Sequence, residues 1–101
     1  MSLGMLRPVE LSPPKSISGT TSSTAGDVIP ISIEGNVFEL VVRNKSLDYS
    51  LYISLDFGDT WIEIPADSQA VFLLGGLADP VILVKSDGAS QSFVIVYRLR
   101  M

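Results

Sequence analysis

The segment from Ser54 to Trp61 holds the densest group of side chains that could do chemistry in this chain of 101 residues. Its sequence is Ser-Leu-Asp-Phe-Gly-Asp-Thr-Trp, and its two carboxylates belong to Asp56 and Asp59. Together with Asp48 or Asp67 they could supply the oxygen ligands of a Ca²⁺ site. The alternative is a tight turn in which an aspartate accepts hydrogen bonds from the amides that follow it, and such a turn requires no metal.

Few other groups in the sequence are suited to catalysis. Histidine and cysteine are both absent, which excludes histidine bases, thiolate nucleophiles and zinc-thiolate sites. No Ser-x-x-Lys spacing occurs beyond residue 27, and Gly75-Gly76 is not followed by the lysine and helix of a phosphate-binding loop. We therefore predict a protein that is not an enzyme and holds no cofactor.

The charge and hydropathy of the chain bear on its partners. A net charge of -4, with seven scattered Lys and Arg residues, gives no basic stripe for neutralising phosphates, so we expect no nucleic-acid partner. The longest apolar runs fall short of the roughly 20 residues that cross a bilayer, and the N-terminus lacks a signal-peptide pattern. We expect a soluble protein with no membrane partner. The apolar share of 47% against 18% charged residues indicates self-association.

The chain divides by composition at residue 28. Residues 1–27 carry three prolines and a run of small polar residues, and such a segment buries too little apolar surface to offset its ordering entropy. We read it as a flexible or strand-exchanging N-terminal arm that pairs with the sheet edge of a neighbouring subunit, with a disordered start as the alternative. The candidate interface residues of this arm are Leu3, Leu6, Val9 and Leu11.

Residues 28–101 show short runs of β-branched and aromatic residues, separated by turn-forming residues at intervals of about 8 to 12 residues. The pattern predicts an all-β domain, an antiparallel β-sandwich or small jelly-roll-like barrel of about 7–8 short strands. The predicted strands are 28–33, 36–44, 49–55, 60–64, 69–74, 81–85 and 91–99. Pro30 places the first at a sheet edge. Asp87-Gly88, a favoured type I′ pair, predicts a hairpin between the last two strands.

The last of these strands carries apolar residues on both faces. Its first face consists of Phe93, Ile95, Tyr97 and Leu99. Val94 and Val96 lie on the other face, so the strand is either central with another element packed outside it, or its outer face contacts another subunit. Val94 and Val96 are therefore candidate interface residues.

The pattern Ser54-x-Asp56-x-Gly58-x-Thr60-Trp61 resembles the Asp-box, best known from sialidase-type propellers. The resemblance covers eight residues and implies a β-hairpin in which Asp56 accepts hydrogen bonds from turn amides and Trp61 packs under the turn. The role it implies is structural. A sialidase would require repeated boxes and an arginine cluster, which this short chain lacks.

From about residue 36 to residue 98 the chain also resembles the small β-sandwich proteins of tailed-phage virions. The resemblance lies in the polar N-terminal arm, the strand that leads into the Gly58-Asp59-Thr60-Trp61 turn, and the Val84-to-Gly88 segment. It implies a non-enzymatic capsid-decoration, head-tail or tail-fibre component that contacts itself and other virion proteins. Two alternatives remain: a carbohydrate-binding module whose aromatic residues, such as Tyr52 and Trp61, stack on a glycan, or an accessory binding domain of a larger protein.

Overall fold

The computed structural model describes residues 9–101 and contains eight strands and no helix within that range. The strands are β1 (Lys15–Thr20), β2 (Ile29–Ser32), β3 (Asn36–Asn44), β4 (Leu51–Ser54), β5 (Ile62–Ile64), β6 (Gln69–Ala78), β7 (Val81–Ser86) and β8 (Ser92–Leu99). The predicted all-β class is confirmed. The candidate interface residues Leu3 and Leu6 lie outside the described residues.

The strands form two four-stranded antiparallel sheets that pack face to face. The first sheet has the order β1-β8-β3-β6, and the second has the order β2-β7-β4-β5. The core between them consists of Ile33, Val37, Leu40, Val42, Leu51, Ile53, Ile64, Ile82, Val84, Phe93 and Ile95. These residues recur at every second position of most strands, which is the period that directs side chains to one face of a sheet. The fold is therefore a small β-sandwich.

The buried residues of β3 do not follow the strict alternation of apolar residues in its sequence. The sequence places Phe38, Leu40 and Val42 on one face, but Val37 is fully buried and Phe38 is half-buried. The register shifts between Val37 and Glu39 against both neighbouring strands. This irregularity is a bulge, which reverses the direction of the side chains that precede it.

The predicted arm contains a strand of the sandwich. β1 pairs with β8 along its whole length, from Lys15 opposite Tyr97 to Thr20 opposite Ser92. Ile17 packs against the core, whereas the serines beside it are exposed, so a mostly polar segment can still form an edge strand. The sandwich therefore begins well before residue 28, and residues 15–20 pair within their own chain.

The predicted hairpin between the last two strands is wrong. β7 pairs with β2 and β4 in the second sheet, whereas β8 pairs with β1 and β3 in the first. The Asp87-Gly88 connection therefore crosses from one sheet to the other. Gly88 does not have the positive φ of a type I′ turn; it is needed because a Cβ atom there would overlap the ring of Tyr49.

Strand β6 extends beyond its predicted end. It continues through Gly75 and Gly76, whose φ angles of 67° and 115° lie in the region that favours glycine. The irregular part of β6 faces the bulge of β3, so the two distortions occupy the same end of the first sheet. Among residues 9–101, no helix is long and apolar enough to cross a membrane.

Candidate functional site

The segment 54–61 connects β4 to β5 as a hairpin. The two strands pair with Leu51 opposite Ile64 and Ile53 opposite Ile62. Ser54, which is fully buried, donates its hydroxyl to Asp56 Oδ1 at 2.8 Å and accepts from the amide of Gly58 at 2.8 Å. The hairpin is thus closed by side chains of its own sequence.

Asp56 is the centre of this network. Its Oδ1 also accepts from the amide of Thr60 at 2.8 Å, as the Asp-box resemblance implies. Gly58 has a φ of 95°, and a Cβ atom there would lie 3.8 Å from Cζ2 of Trp61, so the indole lies against the turn. The carboxylate therefore holds Ser54 and Thr60, Ser54 holds Gly58, and Trp61 lies against Gly58 in a structural loop.

The same hydrogen bonds lower the pKa of Asp56. The amide of Thr60 and then the hydroxyl of Ser54 favour the ionised carboxylate, which holds the pKa below its ordinary 3.8. On acidification the unfolded chain takes up this proton first. The stability that the carboxylate contributes is therefore present above pH 3.8 and is lost as the pH falls through the lower pKa of the folded state.

We expect Asp56→Ala to lower the melting temperature at neutral pH by roughly 5 °C, because the amide of Thr60 loses its acceptor. The difference from wild type should shrink as the pH is lowered below 3.8. Thermal melts followed by circular dichroism over that pH range measure both effects. Asp59→Ala is the matched control, since the Asp59 carboxylate makes no hydrogen bond within residues 9–101. An equal loss in both variants, or a loss that does not depend on pH, would contradict the role of Asp56.

The predicted calcium ligands do not come together. Residues 9–101 contain no group of three acidic or histidine side chains placed to hold a metal ion. Asp56 Oδ1 is already occupied by Ser54 and Thr60, and Asp67 forms an ion pair with Arg43 at 3.1 Å. The alternative, a turn satisfied by its own aspartate, accounts for these contacts.

The outer face of the second sheet carries a small aromatic cluster. Nζ of Lys85 lies 4.2 Å from the centre of the Trp61 ring and 5.9 Å from that of Tyr52. The Tyr52 hydroxyl shares its one hydrogen between the carboxylates of Asp87, at 3.0 Å, and Glu63, at 3.3 Å. These carboxylates, Asp87 above all, raise the pKa of Tyr52 above its ordinary 10.0. Tyr52 and Trp61 are half-buried. The polar and charged groups of this cluster contact one another: the Tyr52 hydroxyl contacts Asp87, and the Lys85 ammonium lies over the Trp61 ring.

The outer face of the first sheet is apolar across three adjacent strands. Val96 of β8, Val41 of β3 and Val71 of β6 lie opposite one another in a single row. Leu73 and Val94 lie on the same face, and Leu73 is 75% exposed while Val71 is 58% exposed. We call these five residues the outer patch.

Two ion pairs border the outer patch. Arg43 contacts Asp67 at 3.1 Å on one side, and Arg98 contacts Glu39 at 3.6 Å on the other. Both pairs are partly exposed to solvent, so they contribute little to stability. Glu39 lies opposite Leu73 and Arg43 opposite Val94, so the charged groups flank the central apolar row of Val96, Val41 and Val71.

The candidate interface residues divide into two groups. Val94 and Val96 belong to the outer patch, and β8 is a central strand, but within residues 9–101 no other element covers this face. Leu11 forms a bridge with Arg100 beside the end of β8, and Val9 is 47% exposed nearby.

Val41, Val71 and Leu73 are not predicted as interface residues from the sequence. For Val71 and Leu73 the signal is present in 69–74, where apolar residues occupy both faces as they do in the last strand. For Val41 it is the single apolar residue between Glu39 and Arg43 on the outward face of 36–44.

Comparison with known proteins adds a likeness in fold. No protein-family model matches the chain, and neither does any curated protein. Among solved structures, the crystal structure of FLHE is similar, with a TM-score of 0.51 and 9% sequence identity over 88% of this chain and 97% of that chain. An identity of 9% limits this likeness to the fold.

Proposed function

We propose that this protein is a non-enzymatic structural protein that acts through oligomeric β-surfaces, as a component of a tailed-phage virion. The outer patch is the observation that carries the proposal. It gathers Val41, Val71, Leu73, Val94 and Val96 on one sheet face and leaves two of them more than half exposed. A contiguous apolar surface with a charged rim is the usual anatomy of a protein-protein interface.

The chemistry of the remaining surface supports an assembly role over a binding module. A sugar ring that stacked on Trp61 would first displace Lys85, whose ammonium lies over the indole. The hydroxyl of Tyr52 is already committed to Asp87 and Glu63. Self-association through the outer patch requires neither rearrangement, because its side chains have no polar partners to give up.

The self-association is tested by the mass of the protein in solution. We expect light scattering to give at least twice the chain mass of 10.9 kDa for the wild type. Leu73→Lys should lower that mass, because it puts a charge on the outer patch. Leu47→Lys is the matched control, since Leu47 is also 75% exposed but lies in a loop. A wild type that stays monomeric at millimolar concentration would overturn the proposed function.

The virion assignment requires a separate measurement. We expect mass spectrometry of purified phage particles from a lysate that carries this gene to find the protein in stoichiometric amounts. Particles that lack the protein would contradict a virion role while leaving self-association intact.

A further inference from the structure

We infer that two copies of this chain pair edge to edge through β6, so that the first sheet continues into the second copy. The inference rests on the proposed function of self-assembly. It adds which strand pairs, the two-fold symmetry of the pair and the residues that lie opposite one another.

The four edge strands of the described sandwich are not protected equally. β2 has four residues and contains Pro30, β5 has three residues and contains Glu63, and β1 contains Lys15. Short length, proline and charge are the features that prevent an edge from pairing with another chain. β6 has ten residues and contains neither a charge nor a proline. It is the edge strand with the fewest features that oppose pairing.

The open backbone groups of β6 belong to its outward-facing residues. The amide of Asn44 in β3 donates to the carbonyl of Ser68 at 2.8 Å. Antiparallel strands alternate between residues that bond to the neighbour and residues that point away from it. The N–H and C=O groups of Gln69, Val71 and Leu73 therefore point to the free edge.

The charges around β6 favour one antiparallel arrangement. Asp67, whose Oδ1 pairs with Arg43 of its own chain at 3.1 Å, precedes the strand, and the Arg100 guanidinium donates to the carbonyl of Gly75 at 3.3 Å toward its other end. A two-fold axis through Val71 places Gln69 opposite Leu73 of the second copy and Asp67 opposite Gly75 of the second copy. Asp67 then lies beside the second copy's Arg100. The interaction is mutual, as an isologous dimer requires.

The same pairing makes the outer patch continuous. The row that contains Val96, Val41 and Val71 ends at the free edge, and the two-fold axis joins it to the same row of the second copy. Val71, which is 58% exposed, thereby gains a hydrophobic neighbour across the new edge. The joined row then runs across the outer face of an eight-stranded sheet, and Val71 no longer lies at an edge.

Cysteine substitution tests this arrangement, because the chain contains no cysteine of its own. Val71→Cys places two thiols opposite each other, and opposed Cα atoms about 5.5 Å apart lie within disulfide range. We expect mild oxidation of full-length Val71→Cys to give covalent dimer at least tenfold faster than either control. The controls are Val96→Cys, on the outer patch but in a central strand, and Leu47→Cys, in a loop.

A second measurement does not depend on a substitution. In the wild type, the amides of Gln69, Val71 and Leu73 should exchange with solvent at least tenfold more slowly at a concentration where the protein is oligomeric than at one where it is monomeric. Equal exchange at the two concentrations would contradict pairing through β6.

Cross-linking at Val96→Cys, deletion of residues 2–8 and the mass of the wild type give three further outcomes that would overturn the inference. Faster cross-linking at Val96→Cys would show that two sheets pack face to face, and it would leave the proposed function standing. A dimer that is lost when residues 2–8 are deleted, and that gives no cross-link at Val71→Cys, would also contradict the inference. It would show that the β6 edge pairs with the N-terminal segment of a neighbouring copy and not with its β6. A monomeric wild type would overturn both the inference and the proposed function.

Discussion

Asn44→Ala is expected to destabilise the protein by about 3–5 kcal/mol, which is at the upper end for a single substitution. Asn44 is fully buried at the end of β3. Its side-chain amide donates to the carbonyls of Tyr49 at 2.8 Å, Ile64 at 3.0 Å and Pro65 at 3.2 Å. Because an amide has two hydrogens, one of them is shared between two of these carbonyls.

The other end of the same side chain is also engaged. Oδ1 of Asn44 accepts from the amide of Ser46 at 2.9 Å. One residue therefore ties the loop that leaves β3 to the end of β5, which belongs to the other sheet. Alanine would leave several backbone groups without partners inside the protein, and each such group costs about 1–3 kcal/mol.

Asn44→Asp separates the effect of the lost hydrogen bonds on stability from the effect of a smaller side chain, because Asn and Asp have nearly the same size. The aspartate keeps the acceptor for Ser46 but turns a second oxygen toward the three carbonyls. We expect a large loss of stability at pH 7 that is partly restored at acidic pH, where a protonated carboxyl group can donate again. Urea unfolding of the wild type and both variants measures the differences. A loss below about 1 kcal/mol in Asn44→Ala, in the range of an ordinary exposed substitution, would contradict this role.

Phe93→Ala is the second substitution with a large expected effect, about 3–5 kcal/mol. Phe93 is 1% exposed and is the largest of the fully buried side chains. It lies opposite Gly19 of β1, and a Cβ atom on Gly19 would come within 2.5 Å of the Phe93 ring. The ring therefore fills the space that a side chain at residue 19 would otherwise occupy.

This contact predicts a specific failure of additivity. Gly19→Ala alone should cost about 1–3 kcal/mol, because the buried ring cannot move away. In the Phe93→Ala background the same substitution should cost little or nothing, since the obstacle is gone. Thermal or urea unfolding of the four proteins completes the cycle. Additive losses would show that Gly19 does not pack on Phe93 and that β1 is not held in the first sheet as described.

The elements that the sequence predicts well are those in which one face is apolar and the other polar. β3 has its predicted bounds, and β4, although shorter than the predicted 49–55, buries Leu51 and Ile53 with a period of two. The hairpin of residues 54–61 is also local: Ser54 and Asp56 find their partners within a few residues. A pattern within one strand is enough to specify features of this kind.

The features that the sequence did not predict depend on distant parts of the chain. β1 is a strand because β8 lies beside it, although its own residues are mostly small and polar. The turn at Asp87-Gly88 looks like a hairpin locally, and only the partners of β7 and β8 decide that it changes sheets. The sequence predicts Asn44 only as the last residue of a strand, since nothing in it shows that the carbonyls of Tyr49, Ile64 and Pro65 converge on that side chain.

The position of β8 in the first sheet also sets the order in which the molecule can fold. β8 is the last strand in the sequence, yet it lies between β1 and β3 and pairs residues as distant as Lys15 and Tyr97. Until it arrives, β1 has no partner in its sheet and β3 has only β6. Closure of this sheet joins segments far apart in the chain, which is the slow kind of contact in protein folding. In a nascent chain the first sheet therefore stays incomplete until β8 has been synthesised.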